Sequence, residues 1–533
     1  MRMASGLDRL QTAPVDLAII GGGIQGAGLA REAALRGLSV ALFEKGDFAG
    51  GTSSRTSHLI HGGIRYLEQG ALSLVREAVQ ERHTLSRLAP HLVRPLPFLF
   101  PIYRGGERGR WKIRAGMMLY DFLAGSKRIG PHRMLSAAET LAEEPQLGSE
   151  GLIGAARFYD CRMNDARLCL AVLLSAQEWG ASLFNYVSVV GLLRDGERVS
   201  GVQVQEVLTG ARYDIYARVV VNAAGPWVDR ICRMEGDTAQ RIRPTKGIHL
   251  LFPRLTKAHA VVVSSEQKRR IFFVIPWMGK SLIGTTDTDF TGDLDDVRAD
   301  EEEVGWLLRE TARLFPKGRL TAAAIIAKYA GVRPLVYDPA GTASDLSREG
   351  RMEWTAGGML VLVGGKYTLF RATARKAMNA IMTQVPSLKA QPQPPGEPSL
   401  HGGEMTSLVE YIKEQLPEAR DRYRISEEGL RYLIGAYGTK FHAVLAVGRS
   451  DKGLLKPLTP LGYPFAAEVV YAVRVEMAKR LSDFMRRRTP LALGAYKRDA
   501  TLIRQVAEQM GQELRWNQDR VQKEIEDYQA EVE

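Results

Sequence analysis

The chain has 533 residues, 45% of them hydrophobic and 25% charged, with a formal net charge of +12; this is the composition of a globular protein and excludes a disordered one. At roughly 100–200 residues per domain, two or three domains are expected, and the basic balance suggests an anionic partner: nucleic acid, an acidic membrane face or an anionic substrate. Three cysteines, Cys161, Cys169 and Cys232, form no CxxC pair and leave one over, which argues against a disulfide scaffold and for a reducing compartment.

The nine histidines show no HExxH pattern and do not cluster with the cysteines at ligand spacing, so no metal is expected. The N-terminal "MRMASGLDRLQTAPVD" lacks the apolar core of a signal peptide. No run of about 18 uncharged apolar residues offers a transmembrane helix. The protein is expected to be made, and to stay, in the cytoplasm.

The first element is "VDLAIIGGGIQGAGLAREAALRGLSVALFEKGD". An apolar strand, Leu17 to Ile20, turns at Gly21, Gly23 and Gly26 into an alanine-rich helix, and a second strand, Val40 to Phe43, ends in Glu44. This is the dinucleotide fingerprint in its strand-turn-helix-strand context: glycines admit a pyrophosphate to the helix N-terminus, and the acidic residue takes the ribose hydroxyls. The next stretch, "GGTSSRTSHLIHGGIRYLE", favours FAD over NAD. Thr52, Ser53, Ser54 and Ser57 can bond phosphate or ribityl oxygens. Gly62-Gly63 would let a flat ring lie on the backbone, with His61, Arg65 and Tyr66 beside it.

Further along, "IYRGGERGRWKIRAGMMLYDFLAGSKRIG", 102–130, places Arg104, Arg108, Arg110, Lys112 and Arg114 before an apolar patch of Met117, Met118, Leu119, Phe122 and Leu123, with Trp111 and Tyr120 as interfacial anchors. Such a helix can lie in an anionic membrane surface without spanning it. "RVVVNAAGPWVDRI", 218–231, is a strand running into a small-residue turn at Ala223, Ala224 and Gly225. "GIHLLFP", "HAVVVSS", "RRIFFVIPW" and "KSLIGTTDTDF" read as strands of a sheet covering the flavin. "AGGMLVLVGGKYTLFRATARKAM", 356–378, is again strand, turn at Gly364-Gly365, and helix. Val187, Lys366 and Thr368 complete the expected cofactor-binding set.

The expected architecture is α/β. A Rossmann-like FAD-binding domain is assembled from 14–90, 151–234 and 331–388, and a β-rich substrate domain from 91–150 and 235–330. A Pro/Gly-rich linker, 389–403, leads to a C-terminal helical domain, 404–533. In the last, Val469, Val473, Met477, Leu481 and Phe484 fall near helical spacing and read as a core stripe.

These residues resemble the FAD-dependent glycerol-3-phosphate dehydrogenases, through "IIGGGIQGAG", "TSSRTSHLIHGGIRYLE", "YDCRMNDARL", "VNAAGPWVD", "PTKGIHLLFP", "FFVIPW", "YAGVRPL" and "GGKYTLFR" in this order. His58 stands where relatives often carry lysine, and Leu369 where many have a second threonine. The resemblance implies oxidation of sn-glycerol 3-phosphate to dihydroxyacetone phosphate with FAD as hydride acceptor and a membrane quinone downstream. It also implies a peripheral position on the inner face of the cell membrane, and leaves room for a homodimer. By the same resemblance Arg333 and Arg348 bind the phosphate, with Arg65, Tyr66 and Lys366 around the pocket. His61 and His249 are both candidates for the base that takes the hydroxyl proton. A glycerol-phosphate oxidase using oxygen is the nearest alternative, disfavoured because the insertion such oxidases carry is not evident. A flavin amine oxidase is disfavoured by the two phosphate arginines. A basic flavoprotein acting on nucleic acid lacks any recognised binding module, so no nucleic acid is expected, and the pocket arginines disfavour a non-catalytic scaffold.

Overall fold

The computed structural model describes residues 6–68, 70–106, 109–265, 270–338, 350–449 and 451–532. The opening fingerprint folds as β1 (Val15–Ile20), α1 (Ile24–Leu35) and β2 (Val40–Glu44), with β1 and β2 parallel from Leu17↔Val40 to Ile20↔Phe43. Both faces of β1 are covered, which is why it reads as a continuous apolar run and not as an alternation. Glycine and alanine on α1 bring it close to its neighbours; a Cβ on Gly28 would lie 2.7 Å from the Phe370 ring.

Among the described residues the strands form two sheets. In the first, the order is Arg351–Trp354, Leu360–Val363, Arg212–Asn222, β1, β2, Ser182–Asn185, with the hairpin Val187–Asp195/Arg198–Glu206 joined to Arg212–Asn222. Ile20 pairs with Asn222 and Asn222 with Val361, all in parallel register. The glycine turns at Gly21, Gly225 and Gly364 therefore follow the carboxyl ends of three adjacent parallel strands, although more than 300 residues of chain separate the first from the last.

The second sheet runs Thr288–Asp289, Ile242–Phe252, Lys280–Gly284, Arg270–Trp277, Ala260–Ser265, Arg94–Tyr103, Leu152–Arg162, Leu59–Ile60, with Ala327–Val336 also paired to Ile242–Phe252. Here the strands differ from the expected segmentation. Leu152–Arg162, placed by sequence in the FAD-binding segment 151–234, pairs residue by residue with Arg94–Tyr103. Ala327–Val336 straddles the boundary at 331. Which sheet a strand joins is decided by its pairing partner, and an apolar run does not name that partner.

The stretch 389–403 has no helix or strand but is pinned. Glu397 accepts from Arg31 at 2.9 Å and Arg375 at 2.6 Å and also pairs with Arg371, while Leu388 and Leu400 enter the nucleotide-domain core. Beyond it come helices from Leu408–Tyr423 to Gln518–Val532. Val469, Leu481 and Phe484 share one core, as the stripe requires, but not one helix: Ala466–Arg474 ends and the chain turns at Met477 (φ 58°), which packs against the nucleotide-domain core instead. Buried ion pairs fasten this region to the first: Asp47 with Arg487 and Arg488, both at 2.5 Å, and Arg167 with Glu476 at 2.7 Å.

Candidate active site

A continuous cavity of about 1260 Å³ runs from the three glycine turns to the second sheet, larger than the roughly 300–1,000 Å³ typical for one small ligand. Of the expected site residues, Gly21, Gly23, Glu44, Thr52, Ser53, Ser57, His61, Gly63, Tyr66, Ala224, Gly225, His249, Arg333, Gly365, Lys366 and Thr368 line it.

At one end stands the N-terminus of α1. Its cap residue, Gly23, offers no side chain and its first turn holds no acidic residue, so the positive dipole end faces the cavity uncompensated by any carboxylate of its own turn. Ser53 Oγ accepts from Ile24 N at 2.9 Å. Gly21 is held at φ 110°, and a Cβ there would lie 2.6 Å from Ala223 O. Glu44 accepts from Gly22 N at 2.7 Å and from Gly46 N at 2.9 Å; burial pushes its carboxyl up, opposed by those two backbone donors. Trp227 Nε1 lies at this end, buried and without a hydrogen-bond partner. A helix N-terminus free of acidic side chains in its first turn, a carboxylate acceptor and an unused indole donor suit a ligand with phosphates and a ribose, as FAD has.

At the other end, Arg333 on Ala327–Val336 donates through Nη1 to Asp287 at 3.1 Å, and through Nη2 to Thr285 Oγ1 at 2.7 Å and to Thr286 O at 3.1 Å. Its fork is thus oriented in advance and remains half-buried. Lys366 Nζ sits 3.3 Å above the centre of the buried Tyr66 ring, a cation–π contact. His249 Nε2 and Ser57 Oγ share a hydrogen bond of 2.8 Å, and the His249 ring stacks on Tyr329 at 4.8 Å. Burial, then the neighbouring Arg333 and His58, hold the His249 imidazole well below its ordinary value, so it is neutral near pH 7. Thr368 Oγ1 accepts from His61 N at 3.4 Å and tethers that stretch to the turn after Gly365.

Several expected residues stand elsewhere. Gly26 does not line the cavity; a Cβ there would run into the Gly21 carbonyl, so its glycine serves close packing of helix on turn. Ser54, half-buried in the short helical turn Thr52–Ser54, does not line the cavity. Gly62 also lies behind the wall: a Cβ would lie 2.6 Å from Val79 and collide with the Tyr120 hydroxyl, so neighbouring side chains, not a flavin ring, exclude one. Val187 is core, while the next residues, Ser188 and Val189, face the cavity. Arg65 opens the helix Arg65–Glu68. Arg348, like Arg108 of the basic stretch, lies outside the described residues.

Sequence reasoning missed Arg55, Trp227 and Arg487, all on the cavity wall. The first two sit inside quoted motifs, as the arginine of "SSRTS" and the tryptophan of "AAGPWVD". Burial, with Arg486 and Arg487 nearby, brings the Arg55 guanidinium down to about 10. Arg487 comes from the helical region and carries no local signal.

Residues 16–369 match the family of FAD dependent oxidoreductases, and residues 397–521 match the C-terminal domain of alpha-glycerophosphate oxidase. The chain is similar to a glycerol-3-phosphate dehydrogenase of Synechocystis sp., 35% identical over 540 residues that cover 97% of this chain and 96% of the relative. It is 37% identical to glycerol-3-phosphate dehydrogenase 2 of Mycobacterium bovis, over 98% of this chain and 89% of the relative. Among solved structures it is similar to the glycerol-3-phosphate dehydrogenase from Bacillus halodurans complexed with FAD, with a TM-score of 0.82 and 28% identity over 99% of this chain and 96% of that one.

Proposed function

The chain belongs to the FAD-dependent glycerol-3-phosphate dehydrogenases, and from that premise we propose that it oxidises the secondary alcohol of sn-glycerol 3-phosphate to dihydroxyacetone phosphate and delivers the electrons to a membrane quinone. The observation that carries this reading is the cavity itself: a helix N-terminus with no acidic residue in its first turn at one end and Arg333, Lys366 and a neutral His249 at the other.

The backbone at Gly23 and Ile24 with Ser53 would hold the FAD pyrophosphate, and Glu44 the adenosine ribose. What FAD supplies when bound is acceptance of the hydride from C2. The protein supplies the rest. Arg333, whose fork suits a phosphate bidentately, holds the substrate's dianion. Lys366, stacked on Tyr66, adds positive charge beside it. His249 accepts the hydroxyl proton. A neutral ring that accepts at Nε2 carries its hydrogen on Nδ1, so Ser57 is then the donor in the 2.8 Å bond and stands on the proton's path from the cavity.

Membrane contact is part of the same reading. On the helix Arg110–Ala124, Trp111, Met118 and Phe122 are 78%, 56% and 80% exposed. Their spacing of seven and four residues puts them on one face, flanked by the exposed Arg110, Lys112 and Arg114. Met117 and Tyr120, expected in this patch, are core residues: the Tyr120 hydroxyl donates to Asp160 at 2.8 Å. Among the described residues no helix is long and apolar enough to cross a membrane. The exposed face supports a protein resting peripherally on the inner, anionic surface of the cell membrane, where a quinone is within reach. The test is glycerol 3-phosphate-dependent reduction of a short-chain quinone, with oxygen consumption followed in parallel. Quinone reduction without matching oxygen uptake supports the dehydrogenase; oxygen uptake in its place would make the protein an oxidase.

A further inference from the structure

Ser57 meets His249 from a turn that its own sequence resists. Between the helical turn Thr52–Ser54 and the strand Leu59–Ile60, His58 sits at φ 54°, a left-handed conformation disfavoured by any side chain. One buried carboxylate holds this turn. Asp165, the first residue of the helix Asp165–Glu178, accepts through Oδ2 from Thr56 N at 3.0 Å and from Thr56 Oγ1 at 2.8 Å. Through Oδ1 it accepts from Ala166 N at 2.8 Å and lies 3.2 Å from His58 Nδ1.

Thr56 passes the constraint on in two directions. Its hydroxyl oxygen accepts from His58 N at 3.0 Å, fixing the backbone on the far side of Ser57. Its carbonyl accepts from the Tyr329 hydroxyl at 2.7 Å, and the Tyr329 ring is the one stacked on His249. The His58 ring is stacked on Trp277 at 4.0 Å, which prevents it from swinging away. Both partners of the Ser57–His249 hydrogen bond are thereby tied to Thr56, and Thr56 to Asp165, although Asp165 does not line the cavity.

We propose that Asp165, acting through Thr56 and His58, is a positioning residue that fixes Ser57 Oγ against His249 Nε2. The inference rests on His249 being the proton acceptor proposed above. The chemistry of the site calls for a carboxylate. Thr56 N and Oγ1 converge on one oxygen and Ala166 N donates to the other, and only an acceptor with two oxygens and no hydrogen serves both sides. An asparagine would turn an NH₂ group toward one pair of donors.

The test compares the FAD-loaded wild type with Asp165→Asn, Thr56→Val and the conservative Thr56→Ser, by the rate at which glycerol 3-phosphate reduces the flavin without oxygen. Loss of alignment at a proton acceptor should lower the limiting rate about tenfold to a hundredfold in Asp165→Asn and Thr56→Val. The half-saturating substrate concentration should stay within about twofold and FAD content should be unchanged, while Thr56→Ser recovers most of the rate. A wild-type limiting rate in both disabling variants overturns the proposal. So does a loss that merely follows missing FAD or a weaker half-saturation. A second readout needs no substrate: the nitrogen-15 signals of the His249 ring, identified by their absence in His249→Gln, should move in Asp165→Asn and Thr56→Val. Unmoved signals overturn the proposal even if glycerol 3-phosphate proves not to be the substrate. A wild-type flavin that glycerol 3-phosphate does not reduce counts against the functional reading instead.

Discussion

Gly247 gives a way to move one functional side chain without touching it. It lies on Ile242–Phe252, paired with Gly331 two positions from Arg333, and its missing side chain is the floor on which the Arg333 guanidinium rests. A Cβ at 247 would sit 2.8 Å from Arg333 Cζ and closer still to Nη2 and to Thr285 Oγ1, whereas ordinary van der Waals contact begins near 3.4 Å. The clashes are with the far end of the Arg333 side chain and with the Thr285 hydroxyl, which a turn about χ1 can move, so the strand can keep its register while both side chains give way and the guanidinium swings out. In doing so it leaves Thr285 Oγ1 and Thr286 O, its 2.7 and 3.1 Å partners. Hydrogen bonds to a charged group are worth about 1.5–3 kcal/mol, so losing one such bond to the substrate phosphate corresponds to roughly a tenfold to hundredfold rise in KM. The expected phenotype of Gly247→Ala is a protein with full FAD and a melting temperature within a few degrees of wild type, whose KM for glycerol 3-phosphate rises by that factor. KM and flavin content measured on the same preparation decide it. A well-folded Gly247→Ala with unchanged KM would remove Arg333 from the substrate site, and a collapsed fold would refute the claim that the clash is relieved by a side chain.

Three other perturbations follow from different parts of the structure. Gly26→Val drives carbon into the Gly21 carbonyl and is expected to give folded but colourless protein; a yellow, fully active variant would contradict the dinucleotide reading of this turn. Burial, with Arg167, Arg94 and His401 adding repulsion, holds His91 well below its ordinary value. The unfolded chain therefore binds a proton below about pH 6.5 that the folded chain refuses, and each such histidine steepens the loss of stability on acidification by up to about 1.4 kcal/mol per pH unit. His91→Gln should flatten the fall in unfolding free energy between about pH 7 and about pH 5.5, and an identical slope would show that His91 is not held neutral. Replacing Trp111, Met118 and Phe122 together by serine removes apolar side chains worth roughly 1.5–3 kcal/mol each at an interface. This should release the protein from anionic vesicles in a sedimentation assay while leaving dye-linked activity intact; undiminished binding would place the membrane contact elsewhere.

The part of the molecule that could be read from sequence is the part governed by local rules. β1, α1 and β2 announce themselves because glycine spacing and apolar runs are short-range signals, and the strands around "GIHLLFP" and "RRIFFVIPW" are equally plain. Gly62 was legible as a position that cannot bear a side chain, but the cause, Val79 and Tyr120, arrives from helices later in the chain. Tyr120 itself looked like an interfacial anchor because helical spacing shows that a face exists, not which face is covered; Arg82 and Asp160 draw it inward. The Pro/Gly-rich stretch at 389–403 read as a linker, yet Glu397 sits among Arg31, Arg371 and Arg375, an arrangement that no local pattern encodes. Asp165 sits in the quoted "YDCRMNDARL", but no local pattern marks it, because its bonds to Thr56 join positions 109 residues apart.

The central claim is that this cavity holds FAD and oxidises glycerol 3-phosphate at it. The most direct measurement is the flavin absorbance of the purified protein on anaerobic addition of glycerol 3-phosphate, with lactate and glycine as controls and the product identified. Stoichiometric bleaching by glycerol 3-phosphate alone, with dihydroxyacetone phosphate formed, is the result expected. Bleaching by lactate or glycine, or a flavin that stays oxidised with glycerol 3-phosphate, would contradict it.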